Sequence, residues 1–360
     1  MFGKRIVSVT KFQSKEICLK NSLETDVQKI FYPFNFIMSL FLSSRFNLQQ
    51  NYVRPISRQS LILRSLVVAF MIIATAYRIH LKDISRFGHN IENISIVLLV
   101  SYFLIISRCM DYVCMFILNI VHRYNNVVLI VIIQSIHKSI HFNGIRSFIF
   151  WNWVLVVAST VFNVLAFILF GVICHFVDLF CVCELVIICF DVDLLYTIRV
   201  LVLMIKYLNG WIENFRMLHF HSGNDEMYCK KMFNVYCKIL KVFDLYKSIF
   251  QVLVPIANIV LGILAMLGII KEILQIIFLS VYCEKFHIAV EEAETECILR
   301  MIHVNCSRHQ RRLCKNVLNE TCKFSKLSPC GLFKVDATLP MCLLELFTRY
   351  VFVLLQFAFL

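Results

Sequence analysis

The sequence predicts an all-α fold: a polytopic membrane helix bundle of seven transmembrane helices, with a cytoplasmic N-terminus, an extracellular C-terminus and a cytoplasmic helical anchor region. Three observations lead there. Of 360 residues, 59% are hydrophobic and only 16% charged, and the mean hydropathy is +0.76; soluble domains carry about 25% charged residues. A soluble fold of this length cannot hide so much apolar surface in a core. Runs of about 20 apolar residues recur, the length that spanning a bilayer requires. Basic loops alternate with weakly charged ones, which sets the orientation.

The elements follow in order. Residues 1–60 form a cytoplasmic N-terminal region with nine Lys/Arg and three Asp/Glu. Its start is basic and interrupted and lacks an apolar core of about 7–15 residues, so no cleavable signal peptide is expected and the first span acts as insertion signal. Within it, FYPFNFIMSLFL (31–42) is too short to span and contains Pro33 and Asn35; it reads as a re-entrant or interfacial segment. Residues 61–205 hold transmembrane helices 1–4, at about 61–79, 94–121, 148–172 and 179–203. Arg64 and Arg78 lie near the ends of the first span, positioned to snorkel. NVVLIVIIQSI (126–136) continues the second span as a helix beyond the membrane.

Residues 206–247 form a cytoplasmic helical extension with seven basic residues. Residues 248–283 hold helices 5 and 6, interrupted by Lys271 and Glu272. Two helices fit only near the lower limit of about 17 residues; one long span followed by an amphipathic helix is the competing reading. Residues 284–338 form cytoplasmic anchor helices, and 339–360 the seventh transmembrane helix. The 122–147 loop carries Arg123, Lys138 and Arg146 and no acid, and the 284–336 loop has nine basic residues. All four basic segments fall on one side, which puts the N-terminus inside.

The net charge of +13 is absorbed by those loops, and no nucleic-acid motif lies between the spans; no nucleic-acid partner is expected. Many of the 16 cysteines sit in apolar runs, where Cys behaves as a small hydrophobe. The group from Cys297 to Cys330 lies in a loop assigned to the reducing cytosol, so no disulfide framework is expected. Asn93-Ile94-Ser95 is a glycosylation pattern on the outer side, close to the membrane. The patterns at Asn305 and Asn319 fall in the cytosol and are expected to be unused. His219-Phe220-His221 and Cys181-Val182-Cys183 lack a second ligand pair at zinc-site spacing. No P-loop, Gly-x-Ser-x-Gly or His-Glu-x-x-His occurs. Neither an enzyme, a metal nor a cofactor is expected.

Ionisable residues inside a span are functional candidates by default. Glu184 and Asp191, seven apart, share a face of span 4, with Asp193 nearby. They are candidates for a ligand pocket or for polar contacts within the bundle, with Arg108 or Arg199 as partners. Arg108 and Asp111, at i and i+3, can satisfy each other. Trp151, Trp153 and Tyr112 could line a pocket, although aromatic residues near span ends usually form interfacial belts.

The last third has a definite order. An acidic stretch, HIAVEEAETECILRMIHVN, precedes a basic one, CSRHQRRLCKNVLNETCKF; then come SPCGLFKVDATLP and the final span. Tyr350, five apolar residues, Gln356 and Phe357, with the lead-in Gly331-Leu332-Phe333-x-x-Asp336, resemble the C-terminal signature of the insect gustatory receptor family. Glu292-Ala293 fits too, and the chain stops just after Gln-Phe, as in that family. The resemblance covers about residues 283–357; upstream it is topological. It implies a ligand-gated, non-selective cation channel opened by a small-molecule tastant. It implies a homo- or heterotetramer with other gustatory receptor subunits, multi-pass in the plasma membrane of sensory neurons and in contact with membrane lipid. It further implies that the last helix lines a central pore, with Tyr350, Gln356 and Phe357 at its gate. A Phe ring can gate by dewetting, and a Gln ring offers dipoles without fixed charge. The resemblance also makes the helix before the last span an anchor joining subunits. There Arg308, Arg311, Arg312 and Lys315 stand to pair with Glu291, Glu292, Glu294 and Glu296, or to form a solvated loop.

One position departs from the family pattern: Arg349 stands where Thr is usual. Arg349 and Gln356 are seven apart and share a helix face; Glu345 is four residues before Arg349 on that face. An Arg near mid-bilayer costs about 2.5 kcal/mol or more. A Glu345–Arg349 ion pair would neutralise it; alternatively Arg349 faces the conduction path, snorkels, or meets another helix. The alternative functions are a G-protein-coupled seven-helix receptor and an odorant-receptor-like channel subunit needing a co-receptor. The first requires an external N-terminus and an Asn-Pro-x-x-Tyr motif, which is missing here, though His122-Arg123-Tyr124 resembles its Asp-Arg-Tyr.

Overall fold

A computed structural model describes residues 22–49, 52–80, 106, 109–110, 112–140, 144–174, 187–217, 225–250, 266–302, 306–327, 335–336 and 338–342, and positions 345, 348, 349, 352 and 356. The described residues are mostly helical. In chain order they form α1 (Thr25–Leu40), β1 (Asn47–Gln49), β2 (Tyr52–Arg54), α2 (Arg58–His80), α3 (Tyr112–Val121), α4 (Arg123–His137), α5 (Ile145–Cys174), α6 (Ile187–Met217), α7 (Asp225–Phe250), α8 (Met266–Ile302) and α9 (Arg308–Thr321). Helical positions recur beyond Leu339 as far as Gln356.

Two of these helices are long and apolar enough to cross a membrane, Arg58–Tyr77 in α2 and Ile145–Ala166 in α5. The pair α3–α4 adds a third if it counts as one span. That pair modifies an expectation. The second span does continue as a helix, but α4 turns away from α3 by 68° at a short break. Val127, Leu129, Ile130 and Ile133 of α4 are then fully buried, so this run is core.

The chain divides into two compact units: 1–135 with 143–196 and 255–267, and 136–142 with 197–254 and 268–360. In the first unit, α1 lies on α5. The short 31–42 run thus supplies the second half of a 16-residue helix, with Pro33 inside, and the turn that ends it; Val27, Ile30, Phe31, Phe34 and Met38 are buried. Asn152 of α5 donates to the Ile30 carbonyl at 2.9 Å. α1 then ends on a tight reversal. The Ser43 N–H returns to the Met38 carbonyl at 2.8 Å and the Leu42 N–H to Ser39 at 3.1 Å. Leu42 takes the left-handed conformation (φ 57°) that such a cap demands and that Gly usually supplies. Beyond it, β1 and β2 pair antiparallel, Leu48 opposite Val53. This hairpin is an addition to the expected all-α fold.

In the second unit α9 lies on α7. The core is aromatic: Trp211 is 5.0 Å from Tyr236, and Phe243 stacks on Phe286 at 4.5 Å and 10°. Gly210 admits the close approach of Ile140, whose Cγ2 would stand 2.9 Å from a Cβ placed there. α8 runs unbroken for 37 residues from the apolar stretch into the acidic one, so the expected boundary at 283/284 is not a break in the helix. Residues 251–265, on which the division of spans 5 and 6 turns, lie outside the described residues.

Candidate functional site

Two groups of polar side chains stand out, one in each unit. The first is buried and grows from the cap of α1. By reversing the chain at Leu42, that cap delivers Ser43, Ser44 and Arg45 into the interior, where all three are buried. Arg45 grips Asp193 of α6 with two parallel bonds, Nε to Oδ1 at 2.5 Å and Nη2 to Oδ2 at 2.6 Å. The two side chains are 2% and 1% exposed. Nη1 reaches Asn126 Oδ1 of α4 at 3.5 Å, and the guanidinium stands 5.8 Å from the Tyr196 ring centre. A planar guanidinium matches a carboxylate in this forked way, which makes the contact directional as well as strong.

Around this pair the same short segment is pinned twice more. Asn119 of α3 donates to the Ser43 carbonyl at 3.1 Å. Arg64 of α2 donates to the Ser44 carbonyl and hydroxyl at 2.5 and 2.6 Å. Arg64 therefore does not snorkel to a headgroup; it is 6% exposed and spends its donors on the α1 cap. Tyr112 is likewise buried, its hydroxyl donating to the Phe41 carbonyl at 3.4 Å. Trp151 is exposed, and Trp153 meets Tyr32 at 6.0 Å. The cleft lined by Ser43, Arg64, Tyr112 and Asn119 holds about 10 Å³, which is room for one water. It is not a tastant-sized pocket.

Asp191, expected to pair with an Arg, accepts from Asn163 of α5 at 2.5 Å. For Asp193 the partner is Arg45, which sequence reasoning did not consider. Glu184, Arg108, Asp111 and Asn93 lie outside the described residues.

The second group lies on the terminal helix. Asp336 opens it: its carboxylate accepts from the Thr338 N–H at 3.0 Å and the Thr338 hydroxyl at 2.6 Å. Those bonds hold its pKa below the usual Asp value. Thr338, Cys342, Glu345, Arg349, Phe352 and Gln356 then follow at alternating spacings of four and three. All six are exposed, so they form one stripe along one face. Glu345 and Arg349 form the expected i,i+4 ion pair, with side chains 62% and 76% exposed. An open groove of about 660 Å³ runs along this face. Tyr350 and Phe357 lie outside the described residues; Gln356 is exposed.

The expected anchor pairing takes a different form. Glu292 and Glu296 of α8 bind Arg216 at the end of α6, at 2.8 and 2.7 Å, rather than the basic residues of α9. α9 begins instead with a full capping box between Ser307 and Gln310 and turns Arg308, Arg311, Arg312 and Lys315 outward. The Tyr236 hydroxyl joins α7 to Thr321 at 2.7 Å. Among the described residues no group of three His, Cys, Asp or Glu side chains is placed to hold a metal. No known protein family and no curated protein sequence matches the chain.

Proposed function

We propose that this chain is a subunit of a ligand-gated, non-selective cation channel of the insect gustatory receptor type. In this reading it crosses the plasma membrane of a sensory neuron seven times, assembles as a tetramer, and opens to a small-molecule tastant. One observation carries the reading: the exposed polar stripe of the terminal helix. Charged side chains within a membrane segment face a bundle interior or water, because facing lipid costs too much. Glu345, Arg349 and Gln356 lie on the open surface of a single chain. In a bilayer that surface needs water or further protein against it. A central pore lined by one terminal helix from each of four subunits supplies both. The family resemblance, which includes Gln356 of this stripe, points to the same helix.

The test is epitope accessibility with tags at both ends. The expected result is labelling of the C-terminal tag in intact cells and of the N-terminal tag only after permeabilisation. A cytosolic C-terminus would overturn the pore assignment, since Gln356 and Phe357 would then lie at the inner end of the helix. In cells that show the expected orientation, Gln356→Ala alters tastant-evoked cation current without loss of surface protein.

A further inference from the structure

The terminal stripe carries a feature that the family signature does not contain, a charge of each sign one turn apart. Glu345 and Arg349 are bonded to one another and remain largely exposed. Their position relative to Gln356 is fixed by the helix: Arg349 is seven residues, or two turns, before it and Glu345 eleven, or three turns. Cys342 lies three residues before Glu345 on the same stripe, exposed and with a free thiol. Whatever passes along this face near Gln356 also passes the pair. Resting on the pore reading above, we propose that Glu345 and Arg349 form two adjacent rings of opposite charge around the permeation path and set its charge selectivity.

Rings of charged side chains decide which ions enter a pore, acids favouring cations and bases favouring anions. With the rings one turn apart and paired within each subunit, their fields largely cancel. The path is then weakly selective although it is lined by charge. Removing one member uncovers the other in every subunit. Glu345→Gln leaves a ring of Arg and lowers cation-over-anion permeability about tenfold; Arg349→Gln leaves a ring of Glu and raises it by a similar factor. The double variant returns to the parent value. So does the exchange Glu345→Arg with Arg349→Glu, which keeps the pair and reverses its order.

The ligand is unidentified, so the experiment uses Phe357→Ala as background, in which removal of the gate's apolar ring yields a standing current. Reversal potentials are measured on replacing sodium chloride by a non-permeant salt, and surface protein is measured by an external tag. Opposite shifts in the two single variants, cancelled in the double and in the exchange, are expected. A standing current with one common reversal potential in all variants overturns the charge-ring inference and leaves the pore reading intact. Absence of standing current from every variant overturns the pore reading, and this inference falls with it. A second readout needs no current. Oxidative cross-linking of membranes with copper phenanthroline yields a dimer band that disappears in Cys342→Ser, because the stripe meets its copies. If no such band forms, the stripe does not face a second copy and the rings do not exist.

Discussion

The Arg45–Asp193 pair offers the sharpest test of the first unit. Removing one member, by Arg45→Met or Asp193→Leu, leaves its partner buried and uncompensated. The pair is forked at 2.5 and 2.6 Å and at most 2% exposed. With charge centres about 4 Å apart and an effective dielectric constant of about 20, the attraction is about 4 kcal/mol. Breaking a buried pair from one side costs about 3–5 kcal/mol. Removing both members together costs far less, because no charge is then stranded; such replacements are often near neutral. The expected cycle is two damaging single variants and a double variant close to the parent. The assay is equilibrium unfolding of the purified full chain in mixed micelles, followed by tryptophan fluorescence. Single variants within about 0.5 kcal/mol of the parent would refute the reasoning, since the pair would then be solvated. A double variant as damaged as the singles would show that shape, not charge, is what the site supplies.

Three further predictions concern the second unit. Trp211 is fully buried, donates to the Met232 carbonyl at 2.9 Å and stacks on Phe215 at 5.3 Å. Trp211→Ala should lose about 3–5 kcal/mol and Trp211→Phe about 1 kcal/mol, measured by the same unfolding titration. Ser307→Ala removes one half of the α9 capping box. It should cost about 1 kcal/mol and speed amide exchange in the first turn of α9. His287 is 2% exposed between the rings of Phe243 and Phe324, and burial, then Lys326, lowers its pKa below 6.5. Glu284 and Asp336 oppose that shift, and Lys247 stands over the neighbouring Phe243 ring. The folded state thus holds His287 neutral, while the unfolded chain takes up the proton first. This contribution to stability is full above about pH 6.5 and declines as pH falls toward the folded value. His287→Phe should flatten that acid limb in a pH series of unfolding midpoints; an unchanged limb would assign it to another group.

What could be read from the sequence was what is local along the chain. The apolar runs that became α2 and α5 announce themselves by length, since a spanning helix needs about 20 residues. The Glu345–Arg349 pair was legible because a helix places i and i+4 side by side whatever surrounds it. The partner of Asp193 was not, because Arg45 lies 148 positions away and reaches it only through a left-handed turn at Leu42, where no Gly advertises one. The same reversal draws Arg64 inward, which no rule about charges near span ends foresees. Arg216 was missed for the opposite reason. It is one base among seven in its segment, and only the approach of α6 to α8 selects it over the basic run of α9 as the partner of Glu292 and Glu296. The bend between α3 and α4 has no Pro or Gly to mark it; His122 sits at the break, and four apolar residues of α4 lose all solvent contact beyond it.

These contrasts bear on the terminal helix. Two buried guanidinium groups elsewhere in the chain are matched by partners from other segments, Arg45 by Asp193 and Arg64 by Ser44. Among the described residues of the stripe, Glu345 and Arg349 pair with each other, and Cys342, Glu345, Arg349, Phe352 and Gln356 are all exposed. A chain that brings Arg45 to Asp193 across 148 positions to avoid one stranded charge is not expected to leave a charged face against lipid. In a membrane the two treatments are consistent only if the stripe's counterpart is water or another copy of the chain. Dimer cross-linking through Cys342 tests the second of these, another copy of the chain, before any ligand is known.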